Sequence, residues 1–139
     1  MAGLSIQVET MLSRADRRRV LDQLIAYNVG VVGPVGLHDI FVALREQGEL
    51  NGACIGRALW GWLYVEMLWI ATNLRRRGYG KLLLDKAENE ARDRGCKHVF
   101  LDTFSFQAPE FYRKLGYAEF GRLFDNPPGH ARIFMTKSL

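Results

Sequence analysis

The chain has 139 residues, of which 48% are hydrophobic and 24% are charged, and it carries a formal net charge of +4. This length suits a domain with a proper core, so we expect one domain over residues 1–139 and no extended disorder. The sequence lacks an apolar run long enough to cross a membrane and lacks a secretory signal pattern. Cys54 and Cys96 lie far apart without metal-ligand spacing, which is typical of small buried residues. We therefore expect a cytoplasmic protein without a membrane partner.

The positive charge is concentrated in two segments. Residues 75–94 have a net charge of +3 and residues 13–25 one of +2, so the rest of the chain is slightly acidic. Focused positive charge attracts small polyanions or nucleic acid. The alternative is that these residues form solvated helix faces, which suits residues 13–25 better than the arginine triplet at 75–77.

In the first third of the chain, partial alternation in LSIQVE (4–9) predicts a strand. Ser13 is a candidate N-cap for a helix, and glycines from Gly30 to Gly36, with Pro34, predict a loop after it. The apolar residues of this helix that recur at helical spacing are Val20, Leu21, Leu24 and Ile25.

Two apolar segments flank the turn-like EQGELNG (46–52), which predicts an antiparallel hairpin. WLYVEMLWI (62–70) is aromatic and β-branched with few polar breaks, so we interpret it as the central strand of the sheet. Glu66 is the single residue of this strand that is charged at neutral pH, and its burial would raise its pKa. Alternation places Glu66 on the same side of the strand as Tyr64 and Leu68.

The second half predicts a helix, a strand, a short helix and a final hairpin. An apolar stripe of Leu84, Ala87 and Ala91 indicates a helix that Gly95 ends. HVFLDTF (98–104) is typical of a buried strand, and Pro109 begins a short helix. EFGRLF and ARIFMTKSL flank DNPPG as a hairpin. This order predicts an α/β sandwich with one mixed sheet.

The segment from Arg75 to Lys81, RRRGYGK, combines a basic Gly-x-Gly turn with a helix start. The first turn of a helix leaves N–H groups unpaired and carries the positive end of the dipole, and glycine lets a ligand approach the backbone. The chain has no G-x-x-x-x-G-K-[ST] run, so the segment is not a P-loop. It is not a dinucleotide fingerprint either, because the position of the third glycine is Leu83. The segment alone is also compatible with a merely basic helix start.

With the residues that follow, KLLLDKAENEARDRGC, this segment resembles the acyl-CoA-binding motif of the GNAT superfamily of N-acyltransferases. The resemblance extends through LDTFSFQAPEFYRKLGYAEFG and covers roughly residues 60–121. It implies the GNAT-like fold, a single mixed but mostly antiparallel sheet flanked by helices, with splayed central strands. It also implies N-acetyltransferase activity, with acetyl-CoA as co-substrate.

The resemblance assigns the pyrophosphate of coenzyme A to the loop and the pantetheine to the central strand. Pantetheine would run along the strand backbone at Leu68, Trp69 and Ile70, whose side chains we expect to belong to the core. Ser105 stands where the family often has a cofactor-binding asparagine, and it lacks the amide. The residues implied at the phosphates are Arg75, Arg76, Arg77, Gly78, Tyr79, Gly80 and Lys81.

Acyl transfer to an amine needs a base, an oxyanion donor and a proton donor for the leaving thiolate. The resemblance implies Tyr112 as the proton donor and a backbone N–H at Leu68 or Ile70 as the oxyanion donor. Some family members use a glutamate on the central strand as the base, which makes Glu66 a candidate. An ion pair between Glu66 and an arginine is an equal alternative.

Other candidate residues carry weaker signals. His38, His98 and His130 have no metal-ligand spacing, so we predict no metal site. His130 could line the acceptor site or simply be exposed. Asp102 is a second choice for a catalytic acid, and local hydrogen bonding is the favoured interpretation.

The acceptor is expected to be a small-molecule or peptide amine that attacks acetyl-CoA directly in a ternary complex. A hydrophobic or cationic amine is favoured if the neighbouring aromatic residues contact the acceptor through their ring faces. The alternative is that these residues belong to the core. They are Trp60, Trp62, Trp69, Tyr64 and Phe124. The alternative function is a non-catalytic acyl-CoA-binding module. We expect no nucleic-acid partner, because few aromatic residues accompany the basic ones. A homodimer is possible.

Overall fold

A computed structural model describes residues 3–34 and 36–139, which form two compact units divided between residues 35 and 36. In the first unit, α1 spans Arg14–Val32. The side chain of Ser13 accepts a hydrogen bond from the Asp16 N–H at 3.0 Å, which confirms the predicted N-cap. The predicted loop start at Gly30 is wrong, because α1 continues to Val32 and ends at Gly33, whose φ is 84°. Glycine weakens a helix by only about 1 kcal/mol and need not end it.

The predicted strand at 4–9 is also wrong, because these residues have no regular secondary structure. The side chains of Leu4, Ile6 and Val8 are fully exposed. A strand forms when its backbone groups pair with those of a neighbour, and among the described residues this segment pairs with no strand. Alternation indicates which side chains share a face and says nothing about a partner.

The second unit contains the remaining predicted elements, all confirmed. They are β1 (His38–Glu46), β2 (Glu49–Leu59), β3 (Trp62–Ile70), α2 (Tyr79–Asp93), β4 (His98–Phe104), α3 (Pro109–Lys114), β5 (Ala118–Phe124) and β6 (Ala131–Ser138). A 3₁₀ turn (Thr72–Leu74), which the sequence did not predict, follows β3. Within the described residues the strands form one sheet in the order β1-β2-β3-β4-β6-β5. The pair β3–β4 is parallel and the other pairs are antiparallel. This confirms the predicted mixed, mostly antiparallel sheet with β3 near its centre.

Helix α2 covers one face of the sheet. Its predicted stripe of Leu84, Ala87 and Ala91 is buried and packs with Leu63 and Val99 in the hydrophobic core. The core also encloses the carboxylate of Glu88, which accepts a hydrogen bond from the Tyr117 hydroxyl at 2.7 Å and forms an ion pair with the Lys137 ammonium at 2.8 Å. Because these partners compensate the buried charge, Glu88 fixes α2 against the C-terminal part of the sheet.

The feature that shapes the sheet is a bulge in β3. Gly56 of β2 lies opposite Val65, while the preceding Ile55 lies opposite Met67, so Glu66 is an extra residue. Parallel pairing between β3 and β4 ends at Val65 opposite Leu101, although both strands continue. The bulge therefore coincides with the point where the two strands separate, which confirms the expected splay.

The bulge also corrects one prediction about the faces of β3. Glu66 does share a face with Tyr64, because Arg57 contacts both side chains. Leu68, however, packs against the core together with Val65, on the opposite face. Placing Leu68 with Glu66 by simple alternation was wrong, since one extra residue reverses the alternation beyond it.

Gly56 provides the close approach that the bulge requires. A Cβ at this position would lie 2.6 Å from the Tyr64 carbonyl oxygen, whereas a Cβ at Gly121 in β5 would meet nothing within 4 Å. We expect Gly56→Ala to lower the free energy of unfolding by about 1–3 kcal/mol, because backbone must shift. Urea unfolding measures this loss. Gly121→Ala is the matched control, with a change within about 0.5 kcal/mol. Equal stability of the two variants would contradict the role given to Gly56.

Candidate active site

A cleft of about 790 Å³ opens where β3 and β4 separate. One wall is residues 65–70 of β3, and the other is residues 101–103 of β4 with residues 106–108 beyond it. Residues 74–76 and Gly80 lie at one end, and Phe111 and Tyr112 of α3 line it as well. The cleft thus brings a strand backbone, a basic loop and several polar side chains together.

The N-terminus of α2 meets the cleft through the basic loop, residues 75–81. Gly78 is the N-cap of α2 with a φ of 84°, and no side chain caps the first turn, which also lacks an acidic residue. The first N–H groups of the helix are therefore available to an anion. The Arg75 Nε donates a hydrogen bond to the Ile70 carbonyl at 3.0 Å, which fixes the loop to the end of β3.

Gly80 allows close packing between α2 and α3. A Cβ there would lie 3.2 Å from the ring of Phe111, a tight contact that the ring would have to relieve by a small shift. This contact holds α3, and with it Tyr112, beside the basic loop.

Tyr112 lies at the base of the cleft and is almost fully buried. Its ring makes edge contacts with Phe111 and Tyr117 at centroid distances of 5.0 and 5.7 Å. Burial, followed by the neighbouring Cys54 and Asp102, raises the pKa of Tyr112 to about 12. The hydroxyl is consequently protonated at neutral pH and can donate a proton or a hydrogen bond.

Two carboxylates line the cleft, and both have arginine partners. Glu66 forms an ion pair with Arg57 at 2.6 Å, as one of the two sequence-based alternatives expected. Asp102 accepts a hydrogen bond from the Arg132 Nε at 2.8 Å and a long one from the Tyr64 hydroxyl at 3.5 Å. These side chains form a polar row across β2, β3, β4 and β6.

The cleft contains most, but not all, of the residues that the sequence predicted. Arg77, Gly78, Tyr79 and Lys81 belong to the basic loop but do not line the cleft itself. The predicted residues that line it are Glu66, Leu68, Trp69, Ile70, Arg75, Arg76, Gly80 and Tyr112.

Ser105 also lies outside the cleft lining, because it is part of the backbone pairing beyond β4. Its hydroxyl accepts a hydrogen bond from the Ala131 N–H at 2.9 Å. Gln107, which sequence reasoning missed, lines the cleft instead. Its side-chain oxygen accepts a hydrogen bond from the Phe104 N–H at 3.0 Å, which leaves its amide nitrogen to donate to another group. The signal was an amide side chain just after a strand end.

The histidines and cysteines considered from the sequence do not line the cleft. His98 stacks on Trp62 at 4.5 Å and His130 meets the edge of Phe106 at 5.0 Å. Cys54 and Cys96 are buried and unpaired, as predicted. Over residues 3–34 and 36–139, His, Cys, Asp and Glu form no group of three that could hold a metal ion. The helices in these ranges include none with the length and apolarity to span a membrane.

This cleft and sheet have counterparts in known proteins. The model of the acetyltransferase (GNAT) family matches residues 16–117. The chain is 39% identical over 98 residues to blasticidin-S acetyltransferase of Streptomyces morookaense, which is 70% of this chain and 72% of that protein. It is 31% identical over 121 residues to an acetyltransferase of Agrobacterium fabrum, which covers 86% and 88% of the two chains.

Solved structures agree with these relatives. An acetyltransferase from Bacillus cereus superposes with a TM-score of 0.85 at 31% identity, covering 96% of this chain and 98% of that one. An aminoglycoside 6'-N-acetyltransferase complexed with coenzyme A has a TM-score of 0.63 at 24% identity over 72% of each chain, a likeness in fold alone.

The family match and these relatives show that the protein with this splayed strand pair and basic helix start is an acyl-CoA-dependent acyltransferase. The chain belongs to the GNAT acetyltransferase family. It is an N-acetyltransferase that uses acetyl-CoA, and the alternative of a non-catalytic binding module is not favoured.

The raised pKa of Tyr112 predicts a loss of stability at alkaline pH. The ordinary tyrosine pKa of 10 applies to the unfolded chain, and the folded value is about 12. The stabilisation is present in full below pH 10 and is lost as the pH rises towards 12, because only the unfolded chain releases the proton. Between pH 9 and 11.5 we expect the wild type to lose about 2 kcal/mol more than Tyr112→Phe. Urea unfolding across this range measures the difference, and a constant difference would contradict it.

Proposed function

We propose that the chain transfers the acetyl group of acetyl-CoA to the primary amine of a small cationic molecule. The amine attacks the thioester directly in a ternary complex. The observation that carries this proposal is the placement of Tyr112, the β3 backbone and the basic loop around one cleft. The cofactor-binding and catalytic roles given below to individual residues are part of the proposal.

The basic loop would hold the pyrophosphate of acetyl-CoA. Supporting this, the first turn of α2 has no capping side chain, and a Cβ at Gly78 would meet nothing within 4 Å, so a ligand can approach the backbone there. Arg75, Arg76, Arg77 and Lys81 supply the surrounding charge, and Tyr79 with Gly80 supplies N–H groups. Lys81 pairs with Asp85 at 2.7 Å, but an exposed pair is weak and can exchange for phosphate.

The pantetheine arm would lie along β3 beyond Val65, where the strand has lost its parallel partner. An extended ligand can hydrogen-bond to such a backbone edge as an added strand would. The backbone N–H of Leu68 or Ile70 would stabilise the thioester oxyanion. The side chains of Leu68 and Ile70 pack on the core as expected, but the same expectation for Trp69 is wrong, because its ring is about half exposed beside the cleft.

Tyr112 would assist departure of coenzyme A. As the carbon–nitrogen bond forms and the carbon–sulfur bond breaks, the thiolate takes a hydrogen bond or the proton from the phenol. The position of Tyr112 in the cleft and its raised pKa support this role, because the group is neutral throughout the physiological range. Ser105 would contribute only indirectly, through its contact with Ala131, and Gln107 would supply the amide donor near the cofactor.

The acceptor end of the cleft favours a cationic amine with a flat ring. Trp69 and Phe106 line it and are about half exposed, and ring faces attract cations. Glu66 and Asp102 add negative charge, partly neutralised by Arg57 and Arg132. One relative is named blasticidin-S acetyltransferase, so blasticidin S is the first acceptor to test.

Three broader expectations accompany this function. The match of the family model to residues 16–117 spans both units, which supports one catalytic domain. Unpaired cysteines and the use of acetyl-CoA support a reducing, cytoplasmic setting. Homodimer formation stays a prediction.

Turnover tests the proposal. Thiol release from acetyl-CoA is measured with blasticidin S and a panel of small cationic amines. We expect turnover by the wild type and a loss of about 100-fold or more in kcat for Tyr112→Phe, because the proton donor is removed. Acetyl-CoA affinity should stay within twofold. Tyr27→Phe, at an exposed position in α1, is the control and should match the wild type. Acetyl-CoA binding without turnover of any amine would contradict the proposed enzymatic function.

A further inference from the structure

We propose that Asp102, rather than Glu66, is the general base that takes the proton from the attacking nitrogen. This inference rests on the proposed function and assigns the step that the function leaves open. Both carboxylates line the cleft, so position in the cleft alone does not separate them. Their neighbours, their burial and their electrostatic effect on the proton donor do.

Asp102 stands where β4 leaves its partner. The last parallel pair joins Val65 and Leu101, and Asp102 is the next residue on β4. Asp102 lines the wall of the cleft opposite the unpaired β3 backbone, where the proposed function holds the thioester carbonyl. A nitrogen that enters the cleft to attack this carbonyl comes between two walls, one of which Asp102 lines.

Burial also favours Asp102. Its side chain is 15% exposed, whereas that of Glu66 is 29% exposed and turned towards Arg57 at 2.6 Å. The Arg132 Nε binds Oδ2 of Asp102 at 2.8 Å, and the Tyr64 hydroxyl reaches Oδ1 only at 3.5 Å. A carboxylate oxygen accepts about two hydrogen bonds, so Oδ1 keeps capacity for a substrate N–H.

The charge of Asp102 also acts on the proton donor. Its charge is among the causes that raise the pKa of Tyr112, and Glu66 is not among them. Burial, followed by both carboxylates, raises the pKa of Tyr64, and the Tyr64 hydroxyl donates to Asp102 at 3.5 Å. The acid and the base act on the same tetrahedral carbon, which requires them to be close.

The reaction then balances without another reactant. The lone pair of the neutral amine forms the carbon–nitrogen bond, and the adduct nitrogen gives its proton to Oδ1 of Asp102. The carbon–sulfur bond breaks, and the sulfur takes the proton of Tyr112. Transfer of the proton from Asp102 to Tyr112, directly or through a water molecule, restores both groups.

The test uses Asp102→Asn and Glu66→Gln, which make the same chemical change at the two sites. Rates with blasticidin S, or the fastest amine of the panel, are divided by the number of acetyl-CoA-binding sites found by titration, so misfolded protein is not counted. We expect kcat of Asp102→Asn to fall about 100-fold or more with unchanged acetyl-CoA affinity. Glu66→Gln should stay within about threefold of the wild type.

Two further variants separate a base from a structural ion pair. Arg132→Gln breaks the same pair but keeps the carboxylate, so it should retain at least a tenth of the activity. Asp102→Ala should regain activity with added formate and not with chloride, because formate replaces the carboxylate. An active Asp102→Asn, or a loss confined to Glu66→Gln, would overturn the inference alone. A wild type without turnover would overturn the proposed function with it.

Discussion

The site depends on one extra residue in a strand. Glu66 has no opposite residue in β2, and from that point β3 and β4 no longer pair. A continuous sheet would leave neither a backbone edge for an extended ligand nor space between the strands. Gly56 permits the bulge, because any side chain there would meet the Tyr64 carbonyl. The cleft is therefore a property of the backbone, and the side chains around it refine what the backbone provides.

The elements around the cleft are held by interactions away from it. Glu88 in α2 is fixed by Tyr117 and Lys137, and Lys137 also donates to the Leu115 carbonyl at 3.0 Å. These contacts connect α2, the end of α3 and β6. Because the basic loop precedes α2 and Tyr112 lies in α3, the buried carboxylate fixes the basic loop relative to Tyr112. A catalytic group needs this support to hold its geometry.

Sequence reasoning predicted the elements whose signals are local. The apolar stripe of α2, Pro109 at the start of α3 and the two hairpins all depend on neighbouring residues, and the structure confirms them. Its errors concern partners and register. Residues 4–9 alternate like a strand but have no strand partner among the described residues, and the bulge at Glu66 reversed the faces beyond it.

The site divides in the same way. The basic loop and Tyr112 were recognisable because the motif carries them, and both lie at the cleft. Gln107 and the connection between Asp102, Tyr64 and Arg132 were not, since those contacts join residues 30 or more positions apart or depend on a strand end. A single sequence shows which residues are able to do chemistry, but only the folded structure shows which of them lie close together.

The central claim is that acetyl-CoA binds across the basic loop and the splayed strand, and calorimetric titration tests it most directly. The wild type should bind acetyl-CoA one-to-one. Arg76→Glu, at the cleft, should weaken binding by tenfold or more, about 1.4 kcal/mol, because a phosphate contact becomes a repulsion. Lys97→Glu makes the same change in charge just before β4, at the opposite end of the strand from the cleft, and should bind like the wild type. No binding by the wild type, or equal loss in both variants, would contradict the account.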